Sequence, residues 1–208
     1  MNHEKAFIIT TSTGEGLGQL FLELGADALI SCDGAEASEG DFLAAIESSG
    51  AESILLLPNG EASLRAAKRV AAELDFVRVM PTRSFPEGYA TLVAIPRAES
   101  AERLSAMRLP SLTAIEIISE PSELAERYVA VCSGNRLATY ASAEAALFEA
   151  VERLISPSDR IITLIVGSGV TNSRRVFVTE RLGELYPDRE IIVYIGGQRA
   201  TEYYIALR

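Results

Sequence analysis

Short apolar runs and amphipathic stretches take turns along the first half of the chain. Residues 6–10 form a β-branched run that predicts a strand. A Gly-rich turn follows, then a helical pattern carried by Leu17, Leu20, Phe21 and Leu24 and stopped by Gly25. Residues 28–31 predict a second strand, and Asp41 is placed to cap a helix whose apolar face carries Phe42, Ala45 and Ile46. Residues 53–57 are apolar almost without interruption, the pattern of a strand buried on both faces, and they run into Pro58-Asn59-Gly60. A helix over 61–74 and a strand over 77–80 continue the series. Strand–helix–strand units joined by such short connections predict a parallel, doubly wound sheet.

The second half has a different rhythm. A polar, helix-prone bridge over 97–107 is flanked by Pro96 and Pro110. Strand-like runs follow at 112–119, 128–132 and 137–140, with a Ser133-Gly134-Asn135 turn between the last two. A helix over 143–154 leads to a strand over 161–166. A helix over 174–186 leads to strands at 190–195 and 203–207. The pattern predicts an α/β chain of two lobes: residues 1–97 as a parallel Rossmann-like lobe and 98–208 as an α+β lobe.

Composition narrows the function classes. The chain has 208 residues, 48% of them hydrophobic and 23% charged, as expected of a globular protein. Its 29 acidic against 19 basic side chains give a net charge of -10, which disfavours nucleic acid and anionic lipid as partners. Two cysteines far apart in sequence, Cys32 and Cys132, form neither a disulfide framework nor a zinc pattern. They suit a reducing compartment, and with no apolar run of membrane-spanning length the expected location is the cytoplasm.

Candidate chemistry clusters where strands end. Thr10-Thr11-Ser12-Thr13-Gly14-Glu15-Gly16 lies at a strand-to-helix junction, where backbone N–H groups can hold an anion. No Gly-Lys-Ser/Thr follows, so it is not a Walker motif. Its plainer reading is a tight turn with Ser12 or Thr13 capping the helix. Pro58-Asn59-Gly60 and the segment from Pro81 to Gly88 also follow strands. In a parallel sheet all three loops share one edge, where ligands of open α/β sheets bind. That juxtaposition nominates Thr11, Ser12, Thr13, Gly14, Gly16, Asn59, Thr82, Arg83 and Ser84, with Arg83 as a fork for carboxylate or phosphate. Against this stands the commoner role of polar turn residues, which is to satisfy the loop's own backbone. Gly197 and Gln198 end a later strand and are weaker candidates.

Catalytic machinery is sparse. The only histidine is His3, near the N-terminus, and no His/Cys/carboxylate cluster has metal-ligand spacing. Glu36, Glu39 and Asp41, like Glu144, Glu149 and Glu152, read as solvated faces and caps. Nothing supplies phosphoryl-transfer machinery.

These words together resemble one family. Gly14-Glu15-Gly16-Leu17, Phe21-Leu22-Glu23-Leu24-Gly25-Ala26-Asp27, Leu57-Pro58-Asn59, Pro81-Thr82-Arg83-Ser84-Phe85-Pro86-Glu87-Gly88 and the ending through Gly196-Gly197-Gln198 are similar to the C-terminal domain of dihydroxyacetone-kinase-like proteins, typified by the kinase component of bacterial fatty acid kinase. The resemblance covers nearly the whole chain, and the Pro-Thr-Arg-Ser-x-Pro-x-Gly segment is its most specific piece. It departs at Cys32-Asp33-Gly34-Ala35-Glu36-Ala37-Ser38, where the family usually reads Gly-Gly-Gln-Thr-Met-Asn-Pro-Ser, and at Tyr194, where a histidine is frequent. The resemblance implies the two-lobed fold of DegV-like proteins and a non-catalytic domain that docks a DegV-like fatty-acid carrier. ATP and magnesium would then belong to a separate kinase domain, with no cofactor in this chain. Self-association stays open. Two alternatives remain: a direct binder of a small molecule or fatty acid, with an apolar tunnel near Phe85, Tyr89 and Leu92, and a phosphotransferase of the dihydroxyacetone kinase type.

Overall fold

A computed structural model of the chain describes residues 5–32, 35–96, 99–120 and 126–208. His3, Asp33, Gly34 and the expected lobe boundary at 97/98 lie outside the described residues. The chain divides into two compact units, one of residues 1–13 with 18–110 and one of residues 14–17 with 111–208.

The first unit is built on the strands β1 (Phe7–Ser12), β2 (Ala28–Ser31), β3 (Ile54–Leu57) and β4 (Val77–Val79). They form a parallel sheet in the order β2-β1-β3-β4, as the short crossovers require. The uninterrupted apolar run becomes β3, whose four side chains are all buried because both faces of the sheet are covered. One face packs Ile9, Ile54, Leu56 and Val77 against Phe42 and Ile46 of α2 (Glu39–Ser49) and Ala66, Ala67 and Val70 of α3 (Glu61–Glu73). Each large side chain buried there contributes about 1.5–3 kcal/mol relative to exposure.

Two expectations change at helix starts. Asp41 does not cap α2; Ser38 does. The Asp41 carboxylate instead accepts from the Ser38 N–H at 2.8 Å while Ser38 accepts from the Asp41 N–H at 3.3 Å, a reciprocal capping box. The segment through Gly88, expected as a loop, enters a helix at Phe85, α4 (Phe85–Ala94). Ser84 caps it and Pro86 sits in its first turn, where a missing N–H costs nothing. The helix-prone bridge contracts to α5 (Ala101–Ser105), packed on β3 and β4. The helical pattern after the Gly-rich turn is α1 (Glu15–Glu23).

The second unit carries β5 (Thr113–Glu120), β6 (Arg127–Cys132), β7 (Asn135–Tyr140), β8 (Ile161–Val166), β9 (Glu190–Ile195) and β10 (Thr201–Leu207). Their order is β7-β6-β5-β10-β8-β9, antiparallel except for β8 and β9. The β6–β7 hairpin turns at Ser133 (φ 49°) and Gly134 (φ 77°), the left-handed pair that matches strand twist. Two helices, α6 (Ala143–Leu154) and α7 (Asn172–Leu185), supply Ala146, Leu147, Ala150, Val151, Val178 and Leu182 to a core with Ile115, Ile162, Leu164, Tyr203 and Ile205.

Candidate functional site

The ends of β1, β3 and β4 do come together, as a parallel sheet requires. Asn59 is the hub, and it holds a left-handed backbone (φ 52°) that Asn tolerates better than most residues. Its side-chain amide donates to Thr10 Oγ1 at 2.8 Å and to the Thr11 carbonyl at 2.9 Å. Its backbone N–H donates to Thr82 Oγ1 at 3.1 Å. The hydroxyls of Thr10 and Thr11 donate back to the carbonyls of Leu57 at 3.1 Å and Pro58 at 2.7 Å. Asn59, Thr10, Thr11, Ser12 and Thr82 are all buried, Asn59 to 3% exposure. The hydroxyls expected to face a ligand are thus largely spent on one another.

The Pro81–Gly88 motif follows from this hub. Thr82 accepts the Asn59 N–H, and Ser84 caps α4 by accepting from the Glu87 N–H at 3.4 Å. The Glu87 carboxylate accepts from the Arg83 N–H at 2.7 Å. Gly88 is required because a Cβ there would overlap the Asn59 carboxamide. Asn59 Oδ1, pressed against Gly88, has no hydrogen-bond partner. The Arg83 side chain does not join the hub; it is largely exposed and pairs with Glu61 at 3.5 Å.

Gly14, Gly16, Gly197 and Gln198 meet in the second unit. A Cβ on Gly14 (φ 76°) would stand 2.5 Å from the backbone of Gly197 and Gln198, and one on Gly16 would overlap the Ile195 carbonyl. The Leu17 N–H donates to the Gly196 carbonyl at 2.9 Å. These glycines therefore serve an approach of backbone to backbone. Gln198 is buried and donates to the Ile165 carbonyl at 2.9 Å, with Gly197 (φ 74°) making the turn. Thr13 is half-buried at the end of β1.

Three surface hollows of about 210, 470 and 440 Å³ are lined by none of the candidate residues. Tyr89 and Leu92, expected beside an apolar tunnel, are core side chains at 1% and 3% exposure. No group of three or more His, Cys, Asp or Glu is arranged to hold a metal ion among the described residues. Both cysteines are free thiols, and burial pushes the Cys32 thiol up from its ordinary value, away from thiolate reactivity. No described helix is long and apolar enough to cross a membrane.

A cluster in the second unit was not anticipated. Arg174 Nε donates to Glu144 at 2.6 Å and its Nη1 lies 3.4 Å from Glu202. The Tyr203 hydroxyl reaches Glu144 at 3.4 Å. Glu144, expected on a solvated face, is mostly buried in this cluster, because α6 and α7 lie side by side over the sheet. Burial raises the Glu202 carboxyl above the usual carboxylate range; Glu144 and Glu126 add to the rise, and Arg174 opposes it. Residues 30 and more apart meet here, and helical spacing alone does not pair one helix with another.

The two sheets and their topology define the chain's class, the two-sheet α/β fold of DegV-like proteins. DegV of Bacillus subtilis, a fatty acid binding protein, aligns with a TM-score of 0.60 over 99% of this chain and 100% of its own at 10% identity. The Fatty Acid Kinase B3 protein of Streptococcus pneumoniae, loaded with linoleic acid, aligns with a TM-score of 0.57 over 97% of this chain and 98% of its own, again at 10% identity. Within that class the chain belongs to the FakA-like C-terminal family of fatty acid kinase components, whose model matches residues 7–111 and 125–208. Among longer relatives, an uncharacterised protein of Staphylococcus aureus is 26% identical over 96% of this chain, and protein YloV of Bacillus subtilis is 23% identical over 96%. The chain spans only 39% and 38% of those two proteins.

Proposed function

We propose that this domain is a non-catalytic docking element of a fatty-acid-kinase-like system, receiving a DegV-like fatty-acid carrier. Family membership supports the fatty-acid-kinase context. The observation that carries the docking reading is the closed hub. In open α/β sheets the strand ends offer polar groups to a ligand, but here Thr10, Thr11, Asn59 and Thr82 are sealed in mutual hydrogen bonds. A surface without an offered ligand cradle fits recognition of another protein better than capture of a small molecule.

The second reading, direct fatty-acid binding, draws on the fold neighbours, one a fatty acid binding protein and the other loaded with linoleic acid. It requires the hub to open, at the cost of several buried hydrogen bonds at about 1 kcal/mol each. A phosphotransferase active in this chain alone has no arrangement of described residues to support it.

Native mass spectrometry of the purified domain, alone and mixed with a DegV-like protein of the same organism, tests the reading. The expected result is a one-to-one complex and no small molecule on the domain alone. A fatty acid retained by the domain alone would replace docking with direct binding.

A further inference from the structure

We infer that the seam between α6 and α7 is the surface through which this domain grips its partner, and that the partner presents an apolar pocket rimmed by Lys or Arg. The inference rests on the docking reading and names its surface. The two helices lie side by side in the same direction. Glu144 meets Arg174, and one turn further along both helices Phe148 meets Phe177, ring edge to ring face, with centroids 6.0 Å apart and planes at 84°. The ion pair is mostly buried, but the aromatic pair is not. Phe177 is 53% exposed and its neighbour Val176 is 41% exposed.

The sequence of α7 explains why. Val178 and Leu182 alone turn into the core, so Val176 and Phe177 are apolar side chains the fold leaves outside. A single exposed aromatic is ordinary, but a held pair of rings with an exposed valine beside it has the make-up of a binding anchor. The seam is also preorganised, because the Glu144–Arg174 pair fixes the two helices one turn away.

Charge selects the occupant. One turn from the rings stand Glu152 on α6 and Glu180 on α7, both exposed and without a cationic partner among the described residues. The nearby Arg181 is already paired with Glu184 at 2.9 Å, and Arg174 with Glu144. The unneutralised charge around the rings is therefore negative. A second copy would bring carboxylates against carboxylates, and an anionic lipid surface would be repelled. A protein surface with an apolar pocket and a cationic rim satisfies both the rings and the acids.

Calorimetric titration of the domain with a fatty-acid-loaded DegV-like protein of the same organism, alongside sedimentation equilibrium of the domain alone, tests the inference. Phe177→Ser is expected to weaken the complex about tenfold or more, the loss typical of an interface anchor. Leu43→Ser, which removes a similarly exposed apolar side chain from α2, is expected to leave affinity within about twofold, as for side chains outside an interface. The double change Glu152→Lys with Glu180→Lys should also weaken binding and flatten its dependence on salt. Circular dichroism confirms that each variant is folded. Wild-type binding that Phe177→Ser leaves intact would overturn the seam and leave docking standing. No wild-type binding would overturn both. A domain dimer abolished by Phe177→Ser would make the occupant a second copy and overturn the assignment of the partner.

Discussion

Asn59 shows how much one side chain can organise. Its amide and its backbone N–H bind groups from the ends of two other strands, and its left-handed backbone sets the turn that makes this possible. Asn59→Ala leaves Thr10 Oγ1 and the Thr11 carbonyl short of a donor in a buried place, so chemical denaturation should report a loss of about 2–4 kcal/mol. Gly16→Ala should be comparably costly, about 2–4 kcal/mol, because the new methyl must displace the Ile195 backbone. Arg83→Ala should change stability by less than about 1 kcal/mol, since its ion pair with Glu61 is exposed. This ordering separates hub from rim. The sequence identified Thr11, Asn59, Thr82 and Gly16 as special, and they are. It did not show that their polar groups turn toward one another, because a residue's rank in a loop carries no direction for its side chain.

At the scale of elements, the legible parts were those with a clear period. The strands at 28–31, 161–166 and 190–195 and the helix at 143–154 occupy the residues their patterns predict. The first turn of α4 was obscured by Pro86, which reads as a helix breaker until Ser84 is recognised as the cap. Ser84→Ala should therefore cost about 1 kcal/mol in thermal or chemical unfolding, the worth of a cap. The junction of α6, α7 and β10 has its own signature in pH. Burial raises the Glu202 carboxyl, so the folded state holds that proton to a higher pH than the unfolded state does. Its contribution is complete below the unfolded value and is lost as pH rises through the folded one. Glu202→Gln should flatten this loss, so the melting temperature of the variant should fall less than that of the wild type as pH rises from about 4 to 7. Equal slopes would mean that Arg174 compensates the Glu202 charge completely.

At the scale of the whole molecule, the fold was legible because the order of apolar runs dictates two sheets, one parallel and one largely antiparallel. The family was legible in a few words, and the Pro81–Gly88 segment proves to be structural: each of its distinctive residues except Arg83 serves the hub or the helix it starts. The α6–α7 seam was not legible. Phe148 and Phe177 lie 29 positions apart, and only the packing of two helices makes them neighbours. A family word can thus preserve a scaffold while the surface that uses it is written elsewhere in the chain.

The most direct test of docking is a pair of calorimetric titrations on the purified domain, one with a fatty-acid-loaded DegV-like protein of the same organism and one with the free fatty acid. Docking predicts saturable heat with the protein and none with the free acid. Saturable heat with the free acid, and none with the protein, would contradict it.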